Sequence, residues 1–156
     1  MTEGGAPGPP TSCWFCRSAS GTTALSELVI YQDDLFLATH ALEPEGRTYL
    51  GSVTVQTKRH VHDLGSLSDP ESQRVGPLLT QLGRSLQKCT GAEWTYCALF
   101  LEGFRHVHFI LTARYPSVPP EFLRLDIERW PGAPRGSREQ VLDLVRRIRA
   151  SMHPIR

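Results

Sequence analysis

The sequence predicts a single domain of mixed α and β structure, and three observations carry that prediction. The stretch Phe104–Arg114 combines aromatic, β-branched and aliphatic residues, with no Gly or Pro between His106 and Ala113, which is the composition of a strand. Two other stretches, beginning at Ser68 and Ser137, each open with a capping box and continue with apolar residues at helical spacing. The length, 156 residues, supplies one hydrophobic core and is too short for two domains of ordinary size. Residues 1–12 are expected to form a disordered tail and residues 13–156 the single domain.

Composition narrows the function classes. Hydrophobic residues at 40% and charged residues at 21% are those of a globular protein. The net charge of +1, with no basic tail or face, argues against a general or sequence-specific nucleic-acid binder. No apolar run approaches a membrane span. The Gly- and Pro-rich N-terminus lacks the basic and apolar regions of a signal peptide, so the cytoplasm is the expected location. Thiols stay reduced there, and the four cysteines are therefore expected as ligands or core residues rather than disulfides.

The elements follow in order. Cys13-Trp14-Phe15-Cys16 is a CxxC, which serves either a redox helix or half of a zinc site. The loop-like composition after it, Arg17 to Gly21, favours zinc, since a two-residue gap lets both thiolates reach one metal. Leu28–Tyr31 and Leu35–Thr39 form a hairpin around Asp33-Asp34. Tyr49–Thr57 is a further strand, with Val53 and Val55 on one face and Thr54 and Gln56 on the other. It runs into Lys58-Arg59-His60, where His60 is either a third metal ligand or an exposed loop histidine beside two cations.

A helix follows Ser68, with Glu71 completing its capping box and Val75, Leu78, Leu79, Leu82 and Leu86 as its apolar stripe. Gly76-Pro77 is expected to bend or restart it, and Gly91 to end it. Trp94–Leu101 is a strand that connects tightly through Glu102-Gly103 to the 104–114 strand, so the two pair antiparallel. Cys97 is expected in the core and Cys89 as a structural residue. Glu121–Leu125 is one possible helical turn. The final helix, Ser137–Met152, buries Val141, Leu144, Val145, Ile148 and Met152 and turns Arg138, Arg146, Arg147 and Arg149 to solvent.

Strand alternation places His106, His108 and Ile110 on one face and Val107, Phe109 and Leu111 on the other. The second face is apolar throughout. Two imidazoles spaced about 7 Å apart along the first face mark a candidate site.

The near-N-terminal CxxC, the strand ending in Lys-Arg-His, the long helix and the His-φ-His-φ strand followed by Arg, in this order, resemble the histidine triad superfamily. The likeness runs from Cys13 to Arg114, and the zinc-carrying bacterial members labelled diadenosine tetraphosphate hydrolases resemble it most. The resemblance implies an α+β fold of about five antiparallel strands with a long helix and a C-terminal helix, usually assembled as a homodimer. It implies nucleotidyl transfer through a nucleotidyl-histidine, with His108 as nucleophile. It implies a structural zinc held by Cys13, Cys16, His60 and His106, and phosphate contacts from Arg114, Arg105, Lys58 and Arg59.

The sequence also departs from the family pattern. Ile110 stands where the third histidine is expected, Ala41 where an acidic residue usually holds a ribose, and Glu102 where a polar residue usually precedes the triad strand. The expected partner is a nucleotide or another phosphorylated small molecule. The leading expectation is a divergent nucleotidyl hydrolase or transferase acting on a nucleotide anhydride or phosphoramidate. The alternatives are a non-catalytic, zinc-stabilised module that binds nucleotide or protein, and an enzyme redeployed on an unusual substrate in specialised metabolism.

Overall fold

The computed structural model describes residues 12–21 and 25–155. The expected disordered tail lies outside the described residues apart from Ser12. Five strands make the main sheet: β1 (Val29–Gln32), β2 (Phe36–His40), β4 (Ser52–Thr57), β5 (Trp94–Ala98) and β6 (His108–Arg114). Their order is β1-β2-β4-β6-β5, and every neighbouring pair is antiparallel. A second, two-stranded sheet pairs β3 (Thr48–Tyr49) with β7 (Arg135–Gly136). The helices are α1 (Trp14–Ala19), α2 (Asp69–Thr90) and α3 (Arg138–Ser151). The fold is therefore α+β, as the sequence implied.

One face of the sheet carries the core. Phe36, Ala38, Val53, Val55, Phe109 and Leu111 alternate inwards and pack with Leu78, Leu82 and Leu86 of α2 and Val141, Leu144, Val145 and Ile148 of α3. The opposite face presents Thr39, Thr54, Gln56, His108, Ile110 and Thr112, a mainly polar surface set by the same alternation. A smaller cluster around Tyr49, Tyr115 and Ile127 fastens the 115–133 segment to the sheet.

Both long helices are capped as their sequences predict. Ser68 accepts from Glu71 N at the start of α2, Ser137 from Gln140 N at the start of α3, and each box is reciprocal. Gly91 ends α2 in the left-handed region at φ +75°. Helix α2 is nevertheless unbroken through Pro77. Pro77 and Gln73, four residues before it, are both exposed, so the carbonyl that loses its intrahelical partner faces water.

Four expectations are corrected. The residues after Cys16 are helical to Ala19 rather than loop, because six residues are too few to show a helical period. The 49–57 strand is broken at Gly51, whose φ is +96° and where a Cβ would lie 2.6 Å from that of Ala113, so only glycine lets the chain turn from β3 into β4. Strand β5 stops at Ala98, and the link to β6 is longer than a tight turn. Cys97 is exposed rather than in the core, because β5 is an edge strand with no neighbour on its outer side among the described residues.

Candidate metal centre and histidine site

Three chain segments converge at one end of β4 and β6. Val107 N donates to Val61 O at 2.7 Å, and Thr57 N donates to Val107 O at 3.2 Å. With Val61 and Val107 both buried, these bonds hold the segment after β4 against the segment before β6, so His60 and His106 face each other. Helix α1 lies across them. Gln56 Nε2 donates to Phe15 O at 2.7 Å, and Gln56 Oε1 lies 3.1 Å from the Ser18 hydroxyl. Gln56 is thus the buried polar anchor of α1 on the sheet.

The result gathers four ligand atoms, from Cys13, Cys16, His60 and His106, all within 4.8 Å of one another. His60 Nδ1 and His106 Nδ1 are 3.2 Å apart. Cys16 Sγ lies 3.2 Å from His60 Nδ1 and 3.6 Å from His106 Nδ1, and Cys13 Sγ lies 3.5 Å from His106 Nδ1. Tetrahedral zinc, with bonds of about 2.3 Å to sulfur and about 2.05 Å to nitrogen, spaces its ligands by roughly 3.3 Å (N to N) and roughly 3.6 Å (N to S). The cluster therefore fits a metal in both donor type and spacing.

The proton on His106 is also placed for ligation. Its Nε2 sits 2.7 Å from Thr57 O, and a carbonyl can only accept, so Nε2 carries the hydrogen. In the neutral ring the Nδ1 lone pair then points into the cluster, the orientation that a ligating histidine needs. Burial lowers the His106 pKa, and the charges of neighbouring histidines add to this against the Thr57 bond. Burial and then His62 lower that of His60. Burial and Cys13 push the Cys16 thiol up to about 11. A divalent cation reverses that last shift, because it binds the thiolate.

His108 begins β6 directly beside this cluster. Its Nδ1 lies 2.7 Å from His106 O, so Nδ1 is the donor and a neutral ring keeps its lone pair on Nε2. Phe15 stacks on the ring with centroids 4.3 Å apart, and His108 is only 6% exposed. Ile110 follows on the same sheet face.

Two of the four cations named from the sequence are already paired with carboxylates. Arg59 is bound in two-pronged fashion by Glu71, through Nε at 3.1 Å and Nη2 at 2.6 Å, and its Nη2 also donates to Ser66 O. Arg114, at the far end of β6, pairs with Glu93 and lies over the Trp94 ring. Arg105 is exposed before β6, and Lys58 is half-buried after β4. Glu102 is exposed, and its carboxylate accepts from Leu101 N. His40 is buried away from the cluster, while the exposed ring of His62 meets His60 edge-on. Sequence reading missed Phe15, Gln56 and Thr57. Gln56 had a signal, a polar residue alternating with core valines, whereas the contact of Thr57 with His106 exists only once the segments meet.

No family model matches the sequence, and no curated protein resembles it in sequence. Solved structures do resemble it in shape. A Hit-like protein involved in cell-cycle regulation from Bartonella henselae, solved with an unknown ligand, superposes with a TM-score of 0.68 at 16% identity over 92% of this chain and 99% of that one. A hypothetical histidine triad nucleotide-binding protein from Sulfolobus tokodaii gives 0.68 at 15% identity over 89% and 91% of the two chains. A zinc-bound histidine triad family protein from Mycobacterium smegmatis gives 0.65 at 20% identity over 89% and 94%. The fold of this chain is that of the histidine triad proteins.

Proposed function

We propose that this chain is a divergent histidine-triad-type nucleotidyl hydrolase or transferase, acting on a nucleotide anhydride or phosphoramidate through His108. The observation that carries the reading is the bond from His108 Nδ1 to His106 O, which leaves Nε2 as the nucleophilic nitrogen. Nε2 attacks the α-phosphorus. An N–P bond forms as the bond to the leaving group breaks, with the electron pair departing on that group. Water then attacks the same phosphorus, restoring His108 and releasing the nucleoside monophosphate. Arg105 and Lys58 are the proposed phosphate contacts. Arg59 joins them only by leaving Glu71, while Arg114, paired with Glu93, lies about 20 Å further along β6 and is out of reach of a phosphate at His108.

Cys13, Cys16, His60 and His106 would hold zinc. A site with four protein ligands is closed, so the metal supplies cross-linking of α1 to the two histidine segments. Bound there, it would act indirectly, by fixing the backbone whose His106 carbonyl orients His108. A homodimer formed through the exposed edge β5 belongs to the same reading, and light scattering at micromolar concentration tests it.

Ile110 cannot move protons, so leaving groups that depart unprotonated are favoured. Purified protein, assayed on dinucleoside polyphosphates, nucleotide sugars and nucleotide phosphoramidates, should show weak turnover that is lost in His108→Ala. Anhydrides should react better than phosphoramidates of basic amines, and Ile110→His should raise the latter more. A second reading, a zinc-stabilised nucleotide- or protein-binding module, is favoured by Ile110 and by the Phe15 ring stacked on His108. No turnover by either wild type or Ile110→His would select it.

A further inference from the structure

A cavity of about 400 Å³ opens on the His108 face of the sheet, beyond Ile110. Its floor is Ile110 and Thr112 of β6 beside their partners Ala98 and Tyr96 of β5. Its roof is the short 3-10 segment Arg124–Arg129. Arg124 enters that segment at φ +64°, a left-handed conformation disfavoured for a side-chain-bearing residue, and buried Ile127 anchors the segment onto the sheet. The roof is therefore held in place over the floor rather than draped there.

Two properties of the cavity define what it takes. Phe100 and Leu125, which line it, are 48% and 71% exposed, so large apolar side chains stand in water at a concave site. The acidic and basic side chains of its wall are Glu128 and Arg124, one of each sign. A polyphosphate chain brings several negative charges and finds no net positive field here, whereas an uncharged ring finds apolar walls. Ile110 and His108 are two residues apart on one strand face, about 7 Å along it, so a group joined to a phosphorus at His108 reaches the cavity.

We propose that this cavity is a substrate subsite for an uncharged aromatic group esterified to the phosphorus that His108 attacks. The proposal rests on the nucleotidyl-transfer reading and names its substrate class: an aryl ester of a nucleoside monophosphate. In the first step the N–P bond forms and the P–O(aryl) bond breaks, its electron pair leaving on the aryl oxide. Such an oxide departs without a proton, which matches Ile110 at the position beside it. Water then takes the nucleotidyl group from His108, as before.

The test pairs binding with turnover. The neutral fluorophore N-phenyl-1-naphthylamine is titrated against wild type, Ala98→Phe, which fills the floor, and Leu125→Glu, which places a charge at the exposed rim. Turnover of the 4-nitrophenyl ester of adenosine 5′-monophosphate is compared with that of adenosine 5′-diphosphate. Saturable probe binding by wild type, weakened in both variants, with the aryl-to-diphosphate ratio of kcat/KM falling about tenfold, is the expected result. Unsaturable probe binding, or variants that lower both substrates equally, would overturn the proposal. So would a Leu125→Glu variant that loses self-association and keeps the probe, since the rim would then belong to a second copy. Probe binding lost in both variants, with neither compound turned over by wild type, would leave the aromatic subsite standing and overturn nucleotidyl transfer instead.

Discussion

Glu71 is the sharpest test of how the histidine segment is held. It is a buried carboxylate in the first turn of α2, its side chain only 3% exposed. It accepts from Arg59 Nε and Nη2, from Ser68 N at 2.8 Å and from the Ser68 hydroxyl at 3.0 Å. Arg59 immediately precedes His60, so this one carboxylate joins the helix cap to the strand end that carries a metal-ligand candidate. Glu71→Gln keeps the size and one acceptor and removes the charge. Hydrogen bonds to a charged group contribute about 1.5–3 kcal/mol, and the half-exposed Arg59 places this case low in that range, so the expected cost is about 2 kcal/mol. For a chain of this length that lowers Tm by roughly 4–8 °C.

The pH dependence of that cost has a defined sign. Burial alone would raise the Glu71 pKa, but the Arg59 and Ser68 bonds outweigh it and hold the carboxyl below its ordinary value of 4.5. Its stabilisation is therefore complete above the unfolded-state value and is lost as pH falls through the folded one. Urea denaturation of wild type and Glu71→Gln should show the largest gap at about pH 7, narrowing as the pH falls below 4.5. A gap smaller than about 0.5 kcal/mol at neutral pH, or one that does not narrow in acid, would refute the argument.

Other outcomes follow from the same geometry. Metal analysis of protein purified without added metal should find about one zinc per chain, and Cys13→Ser should lose most of it together with thermal stability, because binding energy at such a site is folding energy. His40 donates from Nδ1 to Ala41 O and accepts at Nε2 from Gly51 N, and burial lowers its pKa against the Ala41 bond. The folded state thus holds it neutral while the unfolded chain protonates near 6.5, so stability falls as pH drops below that value, and His40→Gln should flatten this slope in equilibrium unfolding. Gly51→Ala combines a φ of +96° with a clash against the Ala113 Cβ and should cost about 2–4 kcal/mol by denaturant melt.

Much of this was legible in the residues, for reasons of periodicity. His106 and His108 declared themselves by alternating with Val107 and Phe109, and the capping residues Ser68–Glu71 and Ser137–Gln140 fixed both long helix starts to the residue. What was not legible depends on contacts distant in sequence. Glu71 reads locally as a cap, and nothing near it shows that Arg59, 12 residues earlier, shares the carboxylate. Arg59 consequently looked like a phosphate ligand. Phe15 reads as a spacer between two cysteines until α1 folds over β4 and β6 and sets its ring on His108. The break at Gly51 is hidden in a continuous β-prone run, because its cause is the Ala113 side chain of β6 lying against it.

The central claim, that His108 is a nucleophile, is tested most directly by intact-mass spectrometry after rapid acid-free quenching of protein mixed with adenosine nucleotides and the aryl ester. The account predicts a nucleotidyl adduct on wild type that is absent from His108→Ala. Turnover without any adduct, or an adduct that persists in His108→Ala, would contradict it.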